Sequence, residues 1–534
     1  MMSRTTDHPR STHTIRIGSA AIGLAAVASA VMVMATTVDG WFRWDAWDFI
    51  QYRSVLSLAG LFGPHGGGLQ WFTVVFYRTL VNTVGFDYWP WFVAPYAVGY
   101  PLLVIGMWRF VVRRGAGIWL ATAAAVGLMF MASSSYLYDG AIGQLVSVGA
   151  GLVAVSYFDA DVWTRGRQVG AATAVFLMLT TADVGVSLYV GLIVGTVLYR
   201  RSRAVVATLV PAGLFYGAWY FRTRASRKPL DVSDLLGTAR GAFDLLRYHL
   251  PNSFGFSTGL GAAITIGAVA AVAYAFRDQR YRPIVTVWTV ALGTYLGLLW
   301  VVRIAPGEAT IETIRYGLWP TALLYVTILP SLPKLSHTVE VVLSIALVST
   351  SLFANVPLAL DERAATELQG AENRQAAEAA ITLIRAGEPY HLRGRLDMSG
   401  GWATPEGLLG MQASGWNPPD TSDAAALRQA RLGIRTRLLT SSAAARSDSC
   451  TFLDEGASTL LELSGRGRLI LEPADRWSRF LAAWDDEWGS SERNYALATR
   501  SELQYVAVPK ALLSIKATTG TITVCEPSDR TPGF

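Results

Sequence analysis

Apolar residues run in long, nearly uncharged stretches from the start of the chain to about Leu360, and then the stretches cease. A bilayer crossing needs about 20 apolar residues. Eleven stretches are candidates, near 16–36, 91–112, 117–133, 141–158, 168–182, 184–200, 204–220, 259–276, 284–302, 316–333 and 337–358. Two further segments alternate at helical period with a polar face. Residues 69–84 carry Arg78 and Asn82 on that face, as a helix lying along a membrane interface does. Residues 235–250 carry Arg240, Asp244, Arg247 and His249 on theirs.

Beyond Leu360 the pattern changes. Residues 366–386 read as a separate amphipathic helix rich in Ala, Glu and Arg, while Leu460–Leu471, Tyr505–Lys516 and Thr518–Cys525 alternate or run β-branched, as strands do. More than half of the 39 Asp and Glu residues fall in this last part. The expected fold is therefore mainly α. A polytopic transmembrane domain of about eleven spans occupies 1–358, followed by a smaller extracytoplasmic α+β or β-sandwich-like domain over 359–534.

Composition supports a membrane protein: 52 % of the 534 residues are apolar and 16 % charged, against about a quarter charged in soluble domains. The net charge of +6 comes without any lysine-rich tract, so it reflects topology and anionic lipid rather than a nucleic-acid partner. Arginines in short loops set the orientation. Arg4, Arg10 and Arg16 precede the first span, and alternation puts Arg113/Arg114, Arg165/Arg167, Arg200/Arg201/Arg203 and Arg277/Arg280/Arg282 on the same side. The N-terminus is then cytoplasmic, and residues 37–90, 221–258 and the C-terminal domain lie outside. Ala28-Ser29-Ala30 resembles a signal cleavage site. The apolar run continues through Val31 to Met34, however, longer than a signal core, so this span is expected to remain as an anchor. The only two cysteines, Cys450 and Cys525, fall in the exported part, where an oxidising exterior permits a structural disulfide; two buried thiols are the other reading.

The first external segment is dense in functional groups. Asp39, Asp45 and Asp48 stand beside Trp41, Trp44 and Trp47. Acids at the edge of hydrocarbon are costly unless wet or paired, and Asp45 and Asp48, three apart, share a helix face. They are candidates for chemistry, or form a solvated loop paired with Arg43 and Arg53. The tryptophans read as interfacial anchors. Next come Pro64, His65 and the glycines Gly66, Gly67 and Gly68, a backbone that lets a ligand approach closely. Phe86, Trp89 and Trp91 then lead into the second span as interfacial aromatics.

In this layout the sequence resembles the GT-C membrane glycosyltransferases: a first span, an acidic external loop, a His/Gly stretch, a surface helix and aromatics before the second span. That resemblance implies sugar transfer from a polyprenyl-phosphate donor to a cell-envelope glycan, lipid or protein at the outer face of a bacterial plasma membrane. It implies an Asp of the first external loop as the base, at Asp45 or Asp48. The spacing Asp45-Ala46-Trp47-Asp48 departs from the adjacent acidic pair common in the family, and the choice between the two stays open. A second resemblance is Ile314-Arg315-Tyr316 with Pro320 shortly after, where Arg315 holds the donor phosphate; a guanidinium fork suits phosphate oxygens. An Arg snorkelling to the interface is the plain alternative. Arg303 either adds a second contact or pairs with Glu308 or Glu312.

Arg222, Arg224, Arg227 and Lys228 form an external basic cluster, against the positive-inside expectation, and suit an anionic lipid-linked phosphate or pyrophosphate. Asp183, where two spans meet, either faces the same cavity or caps the following helix. A divalent cation at Asp45/Asp48 is compatible with this chemistry. Trp416, Trp477, Trp484 and Trp488 with Asp485 and Asp486 read as a sugar-stacking surface or as core. No Walker loop, Rossmann glycine fingerprint, zinc-protease helix or Cys-x-x-Cys pair is present, which argues against an ATP-driven pump and a zinc protease. The rival to a transferase is a transporter or flippase of lipid-linked glycan, or a non-catalytic scaffold. A transporter carries ionisable residues in mid-span, and here they lie at span ends.

Overall fold

The computed structural model describes residues 12–37, 40–42, 46–51, 53, 55–65, 68–87, 89–131, 142–159, 163–199, 203–223, 237–254, 256, 258–304, 314–333, 335–392, 396, 403–440, 449–474, 478–486, 489–497 and 501–526. The first elements are α1 (Thr12–Ala35), α2 (Ala46–Gln51), α3 (Leu58–Phe62), β1 (Pro64–His65), β2 (Gly68–Leu69) and α4 (Trp71–Val84). Helices follow as α5 (Pro90–Arg113), α6 (Ile118–Met129), α7 (Ile142–Phe158), α8 (Arg165–Thr181), α9 (Val184–Leu198), α10 (Arg203–Thr223) and α11 (Thr238–Ser253). Then come α12 (Gly261–Ala275), α13 (Arg282–Leu299), α14 (Leu318–Ile328), α15 (His337–Arg385), α16 (Pro405–Ala413) and α17 (Ala424–Arg435). The chain ends in β3 (Thr436–Thr440), β4 (Ser449–Leu453), β5 (Ser458–Pro473), β6 (Ser478–Asp486), β7 (Gly489–Leu497), β8 (Ser501–Thr519) and β9 (Ile522–Glu526).

A helix stands at each of the eleven apolar stretches. Among the described residues, five helices are long and apolar enough to cross a membrane: 14–35, 90–113, 203–223, 282–304 and 337–385. The others among the eleven are shorter. Expected boundaries shift for local reasons. α4 starts at Trp71 because Gly68 and Leu69 pair with His65 and Pro64 in a small hairpin. α15 is one helix of 49 residues in place of an expected span and a separate helix. Pro357 stands inside this helix without ending it, and residues 359–366 beyond it are mostly good helix formers. Thr518–Cys525 is divided by Gly520, whose φ of +69° turns β8 into β9.

The chain divides into two compact units, and membership does not follow chain order. One holds 1–38, 54–77 and 90–366; the other holds 39–53, 78–89 and 367–534. In the first, α7 packs on α8 and α9 on α13, with α1 against α5 and α6.

In the second unit, among the described residues, seven antiparallel strands form one sheet in the order β4-β9-β5-β8-β6-β7, with β3 also on β8. β5 and β8 are long, and their register shifts between Leu463 and Gly465. One half of the sheet is β4-β9-β5-β8-β3, the other β5-β8-β6-β7. Strands that pass from one layer to the other through a bulge make the corners of a β-sandwich. Alternate residues from both halves, among them Leu461, Leu469, Phe480, Leu503, Ile515 and Val524, form a single apolar cluster. Cys450 and Cys525 face each other on β4 and β9 and are joined by a disulfide.

Segments 39–53 and 78–89 supply an aromatic core to this unit. Trp41 contacts Trp47 and Trp416 at ring-centroid distances of 5.3 and 5.6 Å, and Phe42 contacts Trp89 at 5.3 Å. Trp41, Trp47, Trp89 and Trp416 are all buried. The interfacial anchors expected at Trp41, Trp47 and Trp89 are therefore core residues, and of the two readings of Trp416, sugar-stacking surface or core, the burial agrees with core. Their neighbours are rings of their own unit, which offer more apolar contact than an interface does. Of Phe86, Trp89 and Trp91, the first two are buried and Trp91 is well exposed. Trp44, Trp477 and Trp488 lie outside the described residues, and of Trp484, Asp485 and Asp486 only the backbone, in β6, is described.

Candidate functional site

The first-loop acid that the structure describes sits in a short, tightly held helix. Asp48 lies in the first turn of α2, whose Ala46, Trp47, Phe49, Ile50 and Gln51 are buried. Arg53 closes onto it: Nε and Nη2 both donate to Asp48 Oδ2, at 2.9 and 2.7 Å. Their side chains are 8 % and 20 % exposed, so the pair is well shielded from water. A charge-assisted contact of this kind fixes the carboxylate's orientation. Asp39, Arg43 and Asp45 lie outside the described residues.

Arg78 of α4 holds the same segment. Its Nη1 donates to the Ile50 carbonyl at 2.7 Å and its Nε to the Arg53 carbonyl. Arg78, expected on the polar side of an interfacial helix, has a half-buried guanidinium that binds backbone. Burial lowers its pKa from the ordinary arginine value. Sequence periodicity put Arg78 on the polar side, and the polar partners proved to be carbonyls rather than water. Gln51 adds a further tie, its Oε1 accepting from Thr404 N at 3.2 Å.

A second gathering lies at one end of the apolar-helix unit. His65 in β1 pairs in register with Gly68 in β2 and is 6 % exposed. Gly68 lies directly on the carboxylate of Asp183, where a β-carbon would sit 1.4 Å from Oδ1. Only glycine fits. Asp183 precedes α9 and makes no side-chain capping bond. Of its two expected roles capping is thus corrected: the carboxylate, itself exposed, turns to the hairpin instead.

From this hairpin a chain of contacts runs across the helix ends. Trp71 Nε1 donates to Thr180 Oγ1 at 3.1 Å, and Thr181 Oγ1 donates to the Gly143 carbonyl at 3.1 Å. The next residue, Gln144, accepts at 2.7 Å from Trp319 Nε1 of α14. α14 follows the 3₁₀ turn Ile314–Gly317, which carries Arg315 and a buried Tyr316. Gly317 packs on the His249 ring, a built β-carbon falling 3.1 Å from Nδ1. His249 is thus buried at 5 % exposure, a correction of its expected polar-face position. Arg240 and Arg247 do keep that face, both near Asp244 at 3.9 Å.

The predicted phosphate ligands are placed unevenly. Arg303 lies in a π-helical turn, Trp300–Ile304, at the end of α13; such turns recur at functional sites. Trp300 packs on Gly241 of α11, where a β-carbon would meet the indole at 2.1 Å. Arg222 is exposed in the last turn of α10, one turn beyond Trp219, whose Nε1 donates to the Phe62 carbonyl at 2.6 Å. Arg224, Arg227, Lys228, Glu308 and Glu312 lie outside the described residues, and the Arg315 side chain is not described. Among the described residues no three of His, Cys, Asp and Glu gather to hold a metal ion.

No protein-family model matches the chain, and no curated protein matches it. Among solved structures it is similar to the single-particle cryo-EM structure of the arabinofuranosyltransferase AftD from Mycobacteria, at 11 % identity and a TM-score of 0.40. The match covers 96 % of this chain and 60 % of that one, so the chain spans less than two thirds of that protein.

Proposed function

We propose that the protein transfers a sugar from a polyprenyl-phosphate donor to a cell-envelope acceptor at the outer face of a bacterial plasma membrane. One observation carries the reading. The charged residues of the apolar helices stand near helix ends, and the polar groups of the His65 hairpin, Asp183, Gln144 and the 314–317 turn join at one such end. Ionisable groups at a water-facing end suit surface chemistry; passage through a bilayer needs them at mid-depth.

In this reading the N-terminus is cytoplasmic, and the hairpin, residues 221–258 and the C-terminal domain face outward. The acceptor hydroxyl oxygen attacks the anomeric carbon of the donor sugar. Its proton passes to a first-loop carboxylate, the carbon–oxygen bond to phosphate breaks, and polyprenyl phosphate leaves. Asp48 is committed to Arg53, so Asp45 takes the proton and Asp48 holds the loop. Arg315, with Arg303, grips the phosphate as charge builds on it. His65, Tyr316, Arg222, Arg224, Arg227 and Lys228 position donor or acceptor.

The test is donor consumption. Purified full-length protein is mixed with a panel of polyprenyl-phosphate sugars and envelope extract, and free polyprenyl phosphate is followed by mass spectrometry. Release is expected, falling at least a hundredfold in Asp45→Asn and Arg315→Ala. A folded protein that consumes no donor defeats the proposal and leaves the transporter or scaffold. Release unaffected by either substitution discards this site.

A further inference from the structure

At the end of α14 remote from Trp319, the apolar-helix unit holds a cavity of about 320 Å³ where the start of α1, the α5–α6 loop and the α14–α15 loop meet. Ile118, Leu120, Leu329 and Leu332 give it apolar walls, and Thr14 and His337 stand at its polar side. Its one acid, Glu340, is already committed. Glu340 Oε1 accepts from the backbone N–H of Trp119 at 2.9 Å and of Leu120 at 3.2 Å, capping α6 from another helix. The approach is close enough that a β-carbon on Gly117 would fall 2.3 Å from that oxygen.

Two exposed arginines adjoin the lining in sequence: Arg16 follows lining residue Ile15, and Arg113 lies two residues before Gly115. Beside the cavity, Ile15, Val339 and Leu343 present exposed apolar side chains.

We infer that this cavity binds the head group of an anionic glycerophospholipid, in the leaflet on the side of the N-terminus. The volume admits on the order of ten water-sized groups of about 30 Å³ each, enough for a glycerophosphate and its first methylenes. The remaining acyl chain lies on Ile15, Val339 and Leu343. Basic recesses between membrane helices on the cytoplasmic side favour anionic heads. Glu340 does not repel the phosphate strongly, because the two N–H groups and the positive end of α6 offset its charge.

The test is native mass spectrometry of the full-length protein in detergent after partial delipidation, with phosphatidylglycerol, phosphatidylcholine or inorganic phosphate added back. One phosphatidylglycerol is expected to be retained at least tenfold more than phosphatidylcholine, undisturbed by 10-fold excess phosphate. Leu332→Trp, which fills the cavity, abolishes retention. Arg16→Gln with Arg113→Gln, which alters no packing, abolishes the preference. Equal retention of the two lipids overturns the inference, as does preference unchanged in the double variant. Displacement by inorganic phosphate overturns the lipid assignment in favour of a simple anion site.

Discussion

The backbone of Gly68 rests on the carboxylate of Asp183, two residues 115 positions apart, with no room for a β-carbon between them. This contact fastens the His65 hairpin to the turn between α8 and α9. Neither residue makes the relationship legible alone: Gly68 looks like one of three loop glycines, and Asp183 like a helix cap.

Gly68→Ala is therefore expected to destabilise the protein by about 1–3 kcal/mol, the usual range for forcing atoms into a packed site. Asp183→Gly in the same chain should restore most of the loss. A thermal-melt double-mutant cycle reads the coupling; additive effects mean that the two residues do not touch in solution.

The Asp48–Arg53 pair predicts an asymmetry between two arginine replacements. Arg53→Met leaves a shielded carboxylate without its fork. Breaking a fully buried pair costs about 3–5 kcal/mol, and the partial exposure of Asp48 brings the expected loss to about 2–3 kcal/mol. Arg53→Lys restores the charge but not the double contact to one oxygen, so it recovers only part. Equal stability of both variants and the parent, by chemical denaturation, removes the pair from the account.

Trp416 is 1 % exposed against Trp41 and Phe86. Trp416→Ala should cost about 3–5 kcal/mol and lower the melting temperature without a selective loss of oligosaccharide affinity. An unchanged melt accompanied by lost glycan binding restores the sugar-platform role.

Tyr281 predicts an alkaline effect. Its hydroxyl donates to the Arg114 carbonyl beside the Arg114–Asp159 ion pair, and burial raises its pKa above the ordinary value of 10.0. A raised folded-state value favours the protonated phenol, so the stabilisation is full below pH 10 and is lost as pH rises through the folded-state value. Tyr281→Phe should be about 1 kcal/mol less stable at neutral pH. The gap closes under alkali; a gap independent of pH to 12 refutes the assignment.

The eleven apolar helical segments and the strands β5, β8 and β9 were legible in the sequence because hydropathy and period are local properties of a few consecutive residues, whereas β3, β4, β6 and β7 were not read from it. The preference for charge near helix ends was legible for the same reason. Partners were not. Periodicity marks Arg78, His249 and Trp41 as polar or interfacial, yet Arg78 binds the carbonyls of Ile50 and Arg53, His249 packs on Gly317, and Trp41 stacks among rings from distant segments. A side chain's direction follows from its own element, but what fills the space it points into is set by other stretches of chain, from tens of residues away for Arg78 and His249 to hundreds for Trp41. The sequence by itself determined the apolar helices, the strands β5, β8 and β9, and which acids, arginines and histidine merit attention. The tertiary structure decided that 39–53 and 78–89 pack with 367–534, that Asp48 is held by Arg53, and that Gly68 meets Asp183, because contacts between remote segments arise from packing and leave no local pattern to read.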